Sequence, residues 1–366
     1  MEITDYIPHD WNSFLAGFLL ARSDVTILRH FLGFPIVGAP ALLNEAAVVC
    51  IDTEWWQKEP NPTTEIGVAE LITEDLTLIP HAENILTGMH VAHARIKSTA
   101  HLLNSFVGAG DPEKFHFGTT RFVSMTEAQS IVENTFARPR QSSDDAQLQP
   151  IILIGHAVDN EFEVLERTFG VDLRSFGTII KVIDTQEMAR NAGIKGPNGP
   201  NIGLRDLLAY FNVKVPNLHT AGNDAAGTMI AAVLLGLQSI MYPLKDGPPS
   251  ANLFGREIQD VVDDVMTLAK SRPAPTWGQP LFCTRCDRDN HSRHSCYAKV
   301  ACIICQHSRV VRLYNAARTH TTDRCLYQYL DLPPAEYTEL HHKAIIAHER
   351  AAFQTWIGPR NGSMLI

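Results

Sequence analysis

The sequence predicts an α/β protein in which helices cover a mixed β-sheet, with a small zinc-binding module appended. The runs "AAVVCIDTEWW" and "TEIGVAELITEDLTLIP" predict an antiparallel meander of three strands, the second and third being joined by a tight acidic turn. The later strands "PIILIG" and "TIIKVID" are each followed by helical spacing, and this alternation is typical of α/β domains. The cysteines predict the module, because six of the seven fall between Cys283 and Cys325.

The chain has 366 residues, which favours one large domain with a smaller addition. We expect helices over 1–44, a main domain over 45–243, and a helix followed by a proline-rich linker over 244–280. A module with two zinc ions is predicted over 281–330, and one last helix over 331–366.

Composition and charge exclude some classes of protein. Hydrophobic residues make up 45% of the chain and charged residues 19%, which argues against disorder. The net charge is −9, yet residues 271–330 hold nine Lys and Arg against three acids. An acidic body with a basic module suggests that a polyanion binds the module and enters the body only where cations neutralise it.

The sequence predicts an intracellular protein, cytoplasmic or nuclear, without a membrane partner. Its first residues, "MEITDYIPHD", lack the basic start of a secretory signal. The uncharged stretch Ala225–Pro243 is long enough to cross a bilayer, but its Gly, Thr, Gln and Ser residues favour a buried helix. Clustered Cys and His in such a chain favour zinc over disulfides.

Two carboxylates end the first predicted strand. Asp52 and Glu54 are two residues apart, so both point to the same face of the sheet. Carboxylates held together repel each other, and a divalent cation is the common remedy. An exposed strand end would explain the pair equally well if it stood alone, but His219 and Asp224 in "HTAGNDA" lie at the start of the long apolar helix.

Three motifs in order carry a family resemblance. "CIDTE", "GHAVDNEFEVL" and "HTAGNDA" resemble the motifs of the DEDDh exonucleases of the RNase H-like superfamily, over about Ala46–Gln238. The resemblance implies an RNase H-like fold and two Mg²⁺ or Mn²⁺ ions. It implies Asp52, Glu54 and Asp224 as metal ligands and His219 as the general base, a role that suits an imidazole pKa near neutrality.

The second motif departs from the family pattern. Counted from its Gly-His pair, the family's aspartate falls on Glu161, whereas Asp159 is the right residue type two positions early. The inward stripe of Phe162, Leu165 and Phe169 lies nearer Glu161, and Asp159 suits a helix N-terminus. We therefore expect Glu161 to be the ligand, with Asp159 as the alternative. Because Mg²⁺ tolerates distorted geometry poorly, reduced activity or an inactive exonuclease fold stays open.

The spacing from residue 81 to residue 106 predicts a helix. His93 and Arg95 would then lie on it, either facing the substrate or, as we favour, on a solvated face.

The cysteine cluster offers two ways to build zinc sites. One is a pair of Cys₃His sites, each resembling the zinc knuckle that binds nucleic acid: Cys283, Cys286, His291 and Cys296, then Cys302, Cys305, His320 and Cys325. The other joins Cys283 and Cys286 to Cys302 and Cys305, leaving His291 or His294 with Cys296, His320 and Cys325. A third possibility is zinc that folds a scaffold without touching RNA, against which the basic charge of the segment argues.

These features predict a 3′–5′ exonuclease that acts on single-stranded nucleic acid, RNA more than DNA, with two Mg²⁺ or Mn²⁺ ions and two Zn²⁺ ions. The alternative is an RNA-binding adaptor that keeps the exonuclease fold with weak catalysis or none.

Overall fold

The structure is a computed structural model. It describes residues 10–58, 61–72, 82–140, 147–241, 252–253, 256–308 and 311–325. The helix predicted over 331–366 lies outside these residues. The chain divides into two compact units: a body of residues up to 55, 63–96 and 104–278, and a cysteine unit of 56–62, 97–103 and the residues from 279.

The body is built on a six-stranded mixed sheet with strand order β4-β3-β2-β1-β5-β6. The strands are β1 (Ala47–Trp55), β2 (Thr63–Leu71), β3 (Met89–Ile96), β4 (Thr120–Val123), β5 (Ile151–Gly155) and β6 (Ile179–Asp184). β1, β2 and β3 form the antiparallel meander, and β5 runs parallel to both β1 and β6. The predicted mixed sheet with flanking helices is confirmed.

Nine of the described α-helices belong to the body: α1 (Trp11–Leu19), α2 (Asp24–Phe31), α3 (Ala82–Thr87), α4 (Met125–Phe136), α5 (Asp159–Phe169), α6 (Thr185–Asn191), α7 (Leu204–Tyr210), α8 (Ala221–Met241) and α9 (Ile258–Ser271). The cysteine unit has α10 (Ile303–Gln306) and α11 (Val311–Ala316). The two-residue strands β7 (Asn252–Leu253) and β8 (Arg256–Glu257) pair with each other.

Two apolar cores lie on the two faces of the sheet. Alternate residues of β1 point to opposite faces, so Val48 and Cys50 join a core that contains α8, while Val49 and Ile51 join one that contains α4 and α5. The helices α1, α2 and α9 also bury apolar residues in the α8 core. The helices at both ends of the body therefore share its core.

The uncharged stretch is the buried helix α8. Its described side chains are buried from Ala221 to Leu237 because it packs between the sheet and the surrounding helices. No described helix combines the length and apolar content that crossing a membrane requires.

The helix predicted around His93 and Arg95 is wrong. Only α3 is helical there, and after Gly88 the chain continues as β3, which pairs with β2 on one side and β4 on the other. Both side chains are buried, His93 at 0% exposure and Arg95 at 2%. Buried polar residues obscure the alternation of polar and apolar positions that predicts a strand. Pairing with β2 and β4 stabilises the segment as a strand. The third strand predicted at the end of "TEIGVAELITEDLTLIP", within 73–80, lies outside the described residues.

Candidate active site and cysteine clusters

Asp52 and Glu54 lie near the C-terminal end of β1, on the face of the sheet that packs against α8. They follow Val48 and Cys50 along that face, as the two-residue repeat of a strand requires. Thr53, between them, points to the face covered by α5. The end of β1 thus presents carboxylates to one helix and a hydroxyl to another.

Asp224 is placed by the first turn of α8. Its carboxylate accepts the backbone N–H of His219 at 3.0 and 3.1 Å, which fixes the loop before the helix. Ligand atoms of Glu54, His219 and Asp224 lie within 4.8 Å of one another, and His219 Nδ1 is 3.8 Å from Glu54 Oε1. The structure therefore brings the first and third motifs together.

Glu161, not Asp159, faces this cluster. Thr53 Oγ1 donates a hydrogen bond of 2.6 Å to Glu161 Oε2, although the two residues are 108 positions apart. Asp159 is the first residue of α5 and is exposed to solvent. Phe162 and Leu165 anchor α5 in the core, and this packing turns Glu161 toward β1.

The four carboxyl groups have raised pKa values. Burial is the main cause for each; it raises the pKa of Glu54 to about 9 and that of Glu161 and Asp224 to about 7. Burial raises the pKa of Asp52 well above its usual value, and the charges of Asp224, Glu161 and Glu54 raise it further. Such a cluster stays ionised at neutral pH only when positive charge is brought to it.

The donor set fits hard divalent cations. Oδ2 of Asp52 is buried and has no hydrogen-bond partner among the described residues. An unpaired buried carboxylate oxygen is costly, and a bound cation would remove that cost. Oxygen donors from Asp and Glu suit Mg²⁺ and Mn²⁺ better than softer metals. Asp52, Glu54, Glu161 and Asp224 are thus able to hold such ions.

His219 combines access to solvent with a lowered pKa. Its side chain is 48% exposed, and its ring lies edge-on to Phe106 with the centroids 5.6 Å apart. Burial of part of the ring lowers its pKa, and the charge of Arg205 lowers it further. A neutral imidazole at pH 7 is able to accept a proton.

A fifth buried acid, Glu65, lies directly behind the cluster. It is opposite Glu54 in the β1–β2 register, its Oε2 lies 2.9 Å from His93 Nε2, and it accepts the backbone N–H of Ala221 at 3.2 Å. The close approach of β2 and α8 depends on Gly67, because a Cβ there would lie 2.0 Å from Ala221 O. The sequence does not single out Glu65 and singles out His93 only as a helix residue, because the only signal of their role is a polar residue at an inward position of a strand.

A network of asparagines fixes the loop that carries His219. Asn217 exchanges hydrogen bonds with the backbone of Asp111, at 2.8 and 2.7 Å. Asn223 is fully buried, donates to Lys114 O at 3.0 Å and accepts from His116 N–H at 3.0 Å. The segment 108–118 therefore holds the third motif in place.

The ligand atoms of the cysteine unit form two groups. Within each group they lie within 4.8 Å of one another, and the groups are Cys283, Cys286, His291 and Cys296, and Cys302, Cys305, His320 and Cys325. This grouping is that of two successive Cys₃His sites, and the arrangement that joins the two Cys-x2-Cys pairs is wrong. Four such ligands suit tetrahedral zinc.

Both histidines are oriented toward their cysteines. His291 Nδ1 lies 2.6 Å from Asn290 Oδ1, and its Nε2 lies 3.4 Å from Cys286 Sγ. In the second group, His320 Nδ1 lies 2.9 Å from Thr319 Oγ1 and its Nε2 lies 3.7 Å from Cys305 Sγ. A partner on the far ring nitrogen is the usual support for a metal-binding histidine.

Arg324 joins the two groups within the cysteine unit. Its Nε donates to Asp287 Oδ1 at 3.0 Å and its Nη1 donates to Ser98 O, while the guanidinium lies 5.9 Å from the ring centre of Phe282. The segment 97–103 is therefore part of this unit, although it falls within the main domain predicted over 45–243.

The comparisons with known proteins cover mainly the body. Residues 47–235 match the model of the DEDDh family described as DNA polymerase III subunit epsilon-like, C-terminal domain. A nucleolar protein of Schizosaccharomyces pombe is 27% identical over 211 residues, which is 57% of this chain and 76% of that protein.

Solved structures of exonuclease I from E. coli also match. The complex with a dA16 oligonucleotide has a TM-score of 0.35 and 12% identity, covering 53% of this chain and 41% of that one. The zinc-bound complex with single-stranded DNA has a TM-score of 0.35 and 14% identity, covering 54% and 42%. The chain spans about two fifths of these structures.

Proposed function

Because this chain belongs to the DEDDh exonuclease family, we propose that it is a metal-dependent 3′–5′ exonuclease that hydrolyses single-stranded nucleic acid, RNA rather than DNA, to nucleoside 5′-monophosphates. The family match covers just over half of the chain and contains all three motifs. The direction of cleavage, the preference for RNA and the two-metal mechanism are the parts that we propose.

The observation that carries the proposal is the buried carboxylate cluster beside an accessible histidine. Asp52, Glu54, Glu161 and Asp224 have raised pKa values, and Asp52 Oδ2 has no hydrogen-bond partner among the described residues. A structural role would be served better by apolar or neutral residues, because buried carboxylates destabilise a core.

Bound metal ions and side chains of the body would have separate roles in hydrolysis of the phosphodiester. Two bound Mg²⁺ or Mn²⁺ ions would activate a water molecule and neutralise charge on the phosphate. His219 would accept the proton of that water at its exposed imidazole, which its lowered pKa keeps neutral at pH 7. Thr53 fixes Glu161 Oε2, leaving the second carboxylate oxygen of Glu161 for a metal.

The longer side chain at the second motif is accommodated in the fold. Glu161 starts from a helix rather than from β1, and Thr53 holds its carboxylate beside Asp52 and Glu54. This favours the enzyme over the inactive adaptor, because a carboxylate is present at each position that the family uses.

We propose that the cysteine unit binds two zinc ions and the nucleic acid strand. Described residues of the unit that carry exposed positive charge include Arg288, Arg293, Lys299 and Arg318, and Tyr297 is 96% exposed. Cations contact phosphates and aromatic rings stack on bases, which is how single strands are held without sequence preference. A nuclear location is part of the proposal, since the S. pombe relative is described as nucleolar.

The test is nucleotide release from 5′-labelled RNA and DNA oligonucleotides with Mg²⁺ or Mn²⁺. A ladder that shortens from the 3′ end, with nucleoside 5′-monophosphates as products, is expected, and RNA should be cut faster than DNA. Intact binding without cleavage in either metal would identify the protein as an adaptor. Release from the 5′ end would contradict the proposed direction.

A further inference from the structure

A cavity in the body opens beside the loop that carries His219. Its volume is about 450 Å³, within the range of roughly 300–1,000 Å³ that is usual for ligand sites. Asn217 and Leu218, which precede His219, form one wall, and Gly108 and Ala109 lie on another. The cavity therefore lies next to the loop that carries the candidate general base.

The lining combines positive charge with apolar surface. Arg205 and Lys214 are exposed at the cavity, whereas Leu208, Val213 and Val215 are buried and form apolar wall. Two cations on a body whose net charge is negative favour an anionic ligand, and the apolar wall favours one with a flat, weakly polar part. A nucleotide has both parts.

Arg205 links the cavity to the site of cleavage. Its guanidinium lies over the turn at Gly108, where a Cβ would be 3.9 Å from Nη1. Gly108 belongs to the segment 108–118, whose hydrogen bonds with Asn217 hold the loop of His219 in place. The positive charge of Arg205 therefore lies beside the loop that carries the candidate general base.

We propose that this cavity binds the nucleotide adjoining the bond that is cut, with Arg205 and Lys214 contacting its phosphate and the apolar wall contacting its base. The inference rests on the proposed exonuclease function and adds a second nucleotide position to it. Binding there would hold the strand while His219 and the carboxylates act on the terminal phosphodiester.

The experiment compares two substrates of the full chain in Mn²⁺. One is a labelled oligonucleotide; the other is thymidine 5′-(4-nitrophenyl phosphate), in which nitrophenol replaces the adjoining nucleotide. Arg205→Ala removes a charge, Ala209→Trp fills the cavity from an exposed position of α7, and Arg190→Ala, on the exposed end of α6, is the charge-matched control.

We expect Arg205→Ala and Ala209→Trp to raise the oligonucleotide KM about tenfold, the effect of losing one charge-assisted contact or an equivalent packing contact. Their effect on the ester should be several-fold smaller. The slope of log affinity against log salt should fall by about 0.7 in Arg205→Ala, the value for one phosphate of a single strand. Equal changes for both substrates, or an oligonucleotide KM equal to that of Arg190→Ala, would overturn the inference.

Failure of the proposed function gives a different result. A wild-type protein that cuts neither substrate in any metal would refute the exonuclease, and the cavity would then be tested by oligonucleotide affinity in Ca²⁺. Arg205→Ala must weaken that affinity about tenfold relative to Arg190→Ala, or the cavity does not bind the strand.

Discussion

The body and the cysteine unit both offer metal-ligating side chains, but they position them in opposite ways. In the body, strands, helices and two apolar cores hold carboxylates together against their mutual repulsion. In the cysteine unit, the described apolar cluster consists of Ala317 and three of the cysteines that would bind zinc, Cys302, Cys305 and Cys325. The fold creates the first site, whereas the ligands themselves create the core of the second.

This difference predicts a different role for the metal in each unit. A cation in the body would offset the repulsion between carboxylates that the fold already holds together. The body should therefore fold without the cation. Zinc in the cysteine unit would supply the cohesion that a small core lacks, so that unit should fold only with it. Metal removal should therefore abolish nucleotide release by a body that stays folded, and it should unfold the cysteine unit.

The largest effect is expected from Asp52→Asn. The change removes a ligand whose Oδ2 has no other partner in the described structure, so nucleotide release should fall at least about a thousandfold. The same change removes a buried charge, so without added Mg²⁺ or Mn²⁺ the melting temperature should rise by about 2–4 °C, equivalent to about 1 kcal/mol.

Release assays and differential scanning calorimetry measure the two quantities. Asp159→Asn is the control, because that carboxylate is exposed at the start of α5. A lower melting temperature of the Asp52→Asn protein would show that the buried carboxylate of Asp52 does not destabilise the fold.

The second-largest effect on nucleotide release is expected from a change in the second motif. Glu161→Gln keeps the hydrogen bond from Thr53 but loses charge, and nucleotide release should fall about a hundredfold. Asp159→Asn should change release less than about twofold, since an exposed helix-terminal acid contributes little. Steady-state rates with one oligonucleotide decide the comparison. A larger loss in Asp159→Asn would reverse the assignment of the ligand.

Cys305→Ser tests the other half of the comparison. The residue is buried within the second group, so the change should lower the zinc content from two ions per chain to one and weaken oligonucleotide binding about tenfold. Hydrolysis of the nitrophenyl ester should stay within about twofold of wild type, because the body folds on its own core. Metal analysis, fluorescence anisotropy and ester hydrolysis give the three values. Ester hydrolysis that falls with zinc content would show that the two units depend on each other.

The sequence predicted the parts of the site that short segments determine. Asp52 and Glu54 are fixed by strand periodicity, and Glu161 by the inward stripe of a helix; both patterns lie within about ten residues. Glu65 and His93 could not be found in this way, because their role arises from the pairing of β2 with β3. The Asn217 and Asn223 network joins segments about a hundred residues apart, a distance over which sequence spacing carries no geometric information.

The pH dependence of stability is expected to show the smallest effect. The folded-state pKa is about 9 for Glu54 and about 7 for Glu161 and Asp224, above the usual 4.5 and 3.8. Between about pH 4 and these values the unfolded chain releases protons that the folded chain retains, so the free energy of unfolding falls as pH rises.

Without added Mg²⁺ or Mn²⁺, the body should therefore be more stable at pH 5 than at pH 8, by on the order of 1–2 kcal/mol because the groups share one network. Urea unfolding at the two pH values measures the difference, followed by the fluorescence of a tryptophan of the body such as Trp277, which packs against the core that contains α4 and α5. Saturating Mn²⁺ should reduce or reverse it, since the ion binds the ionised carboxylates and stabilises the folded state at high pH. Glu54→Gln should flatten the pH dependence in the metal-free protein. A body that gains stability from pH 5 to pH 8 without metal would show that the carboxylates are already neutralised by the protein itself, and the contrast with the cysteine unit would disappear.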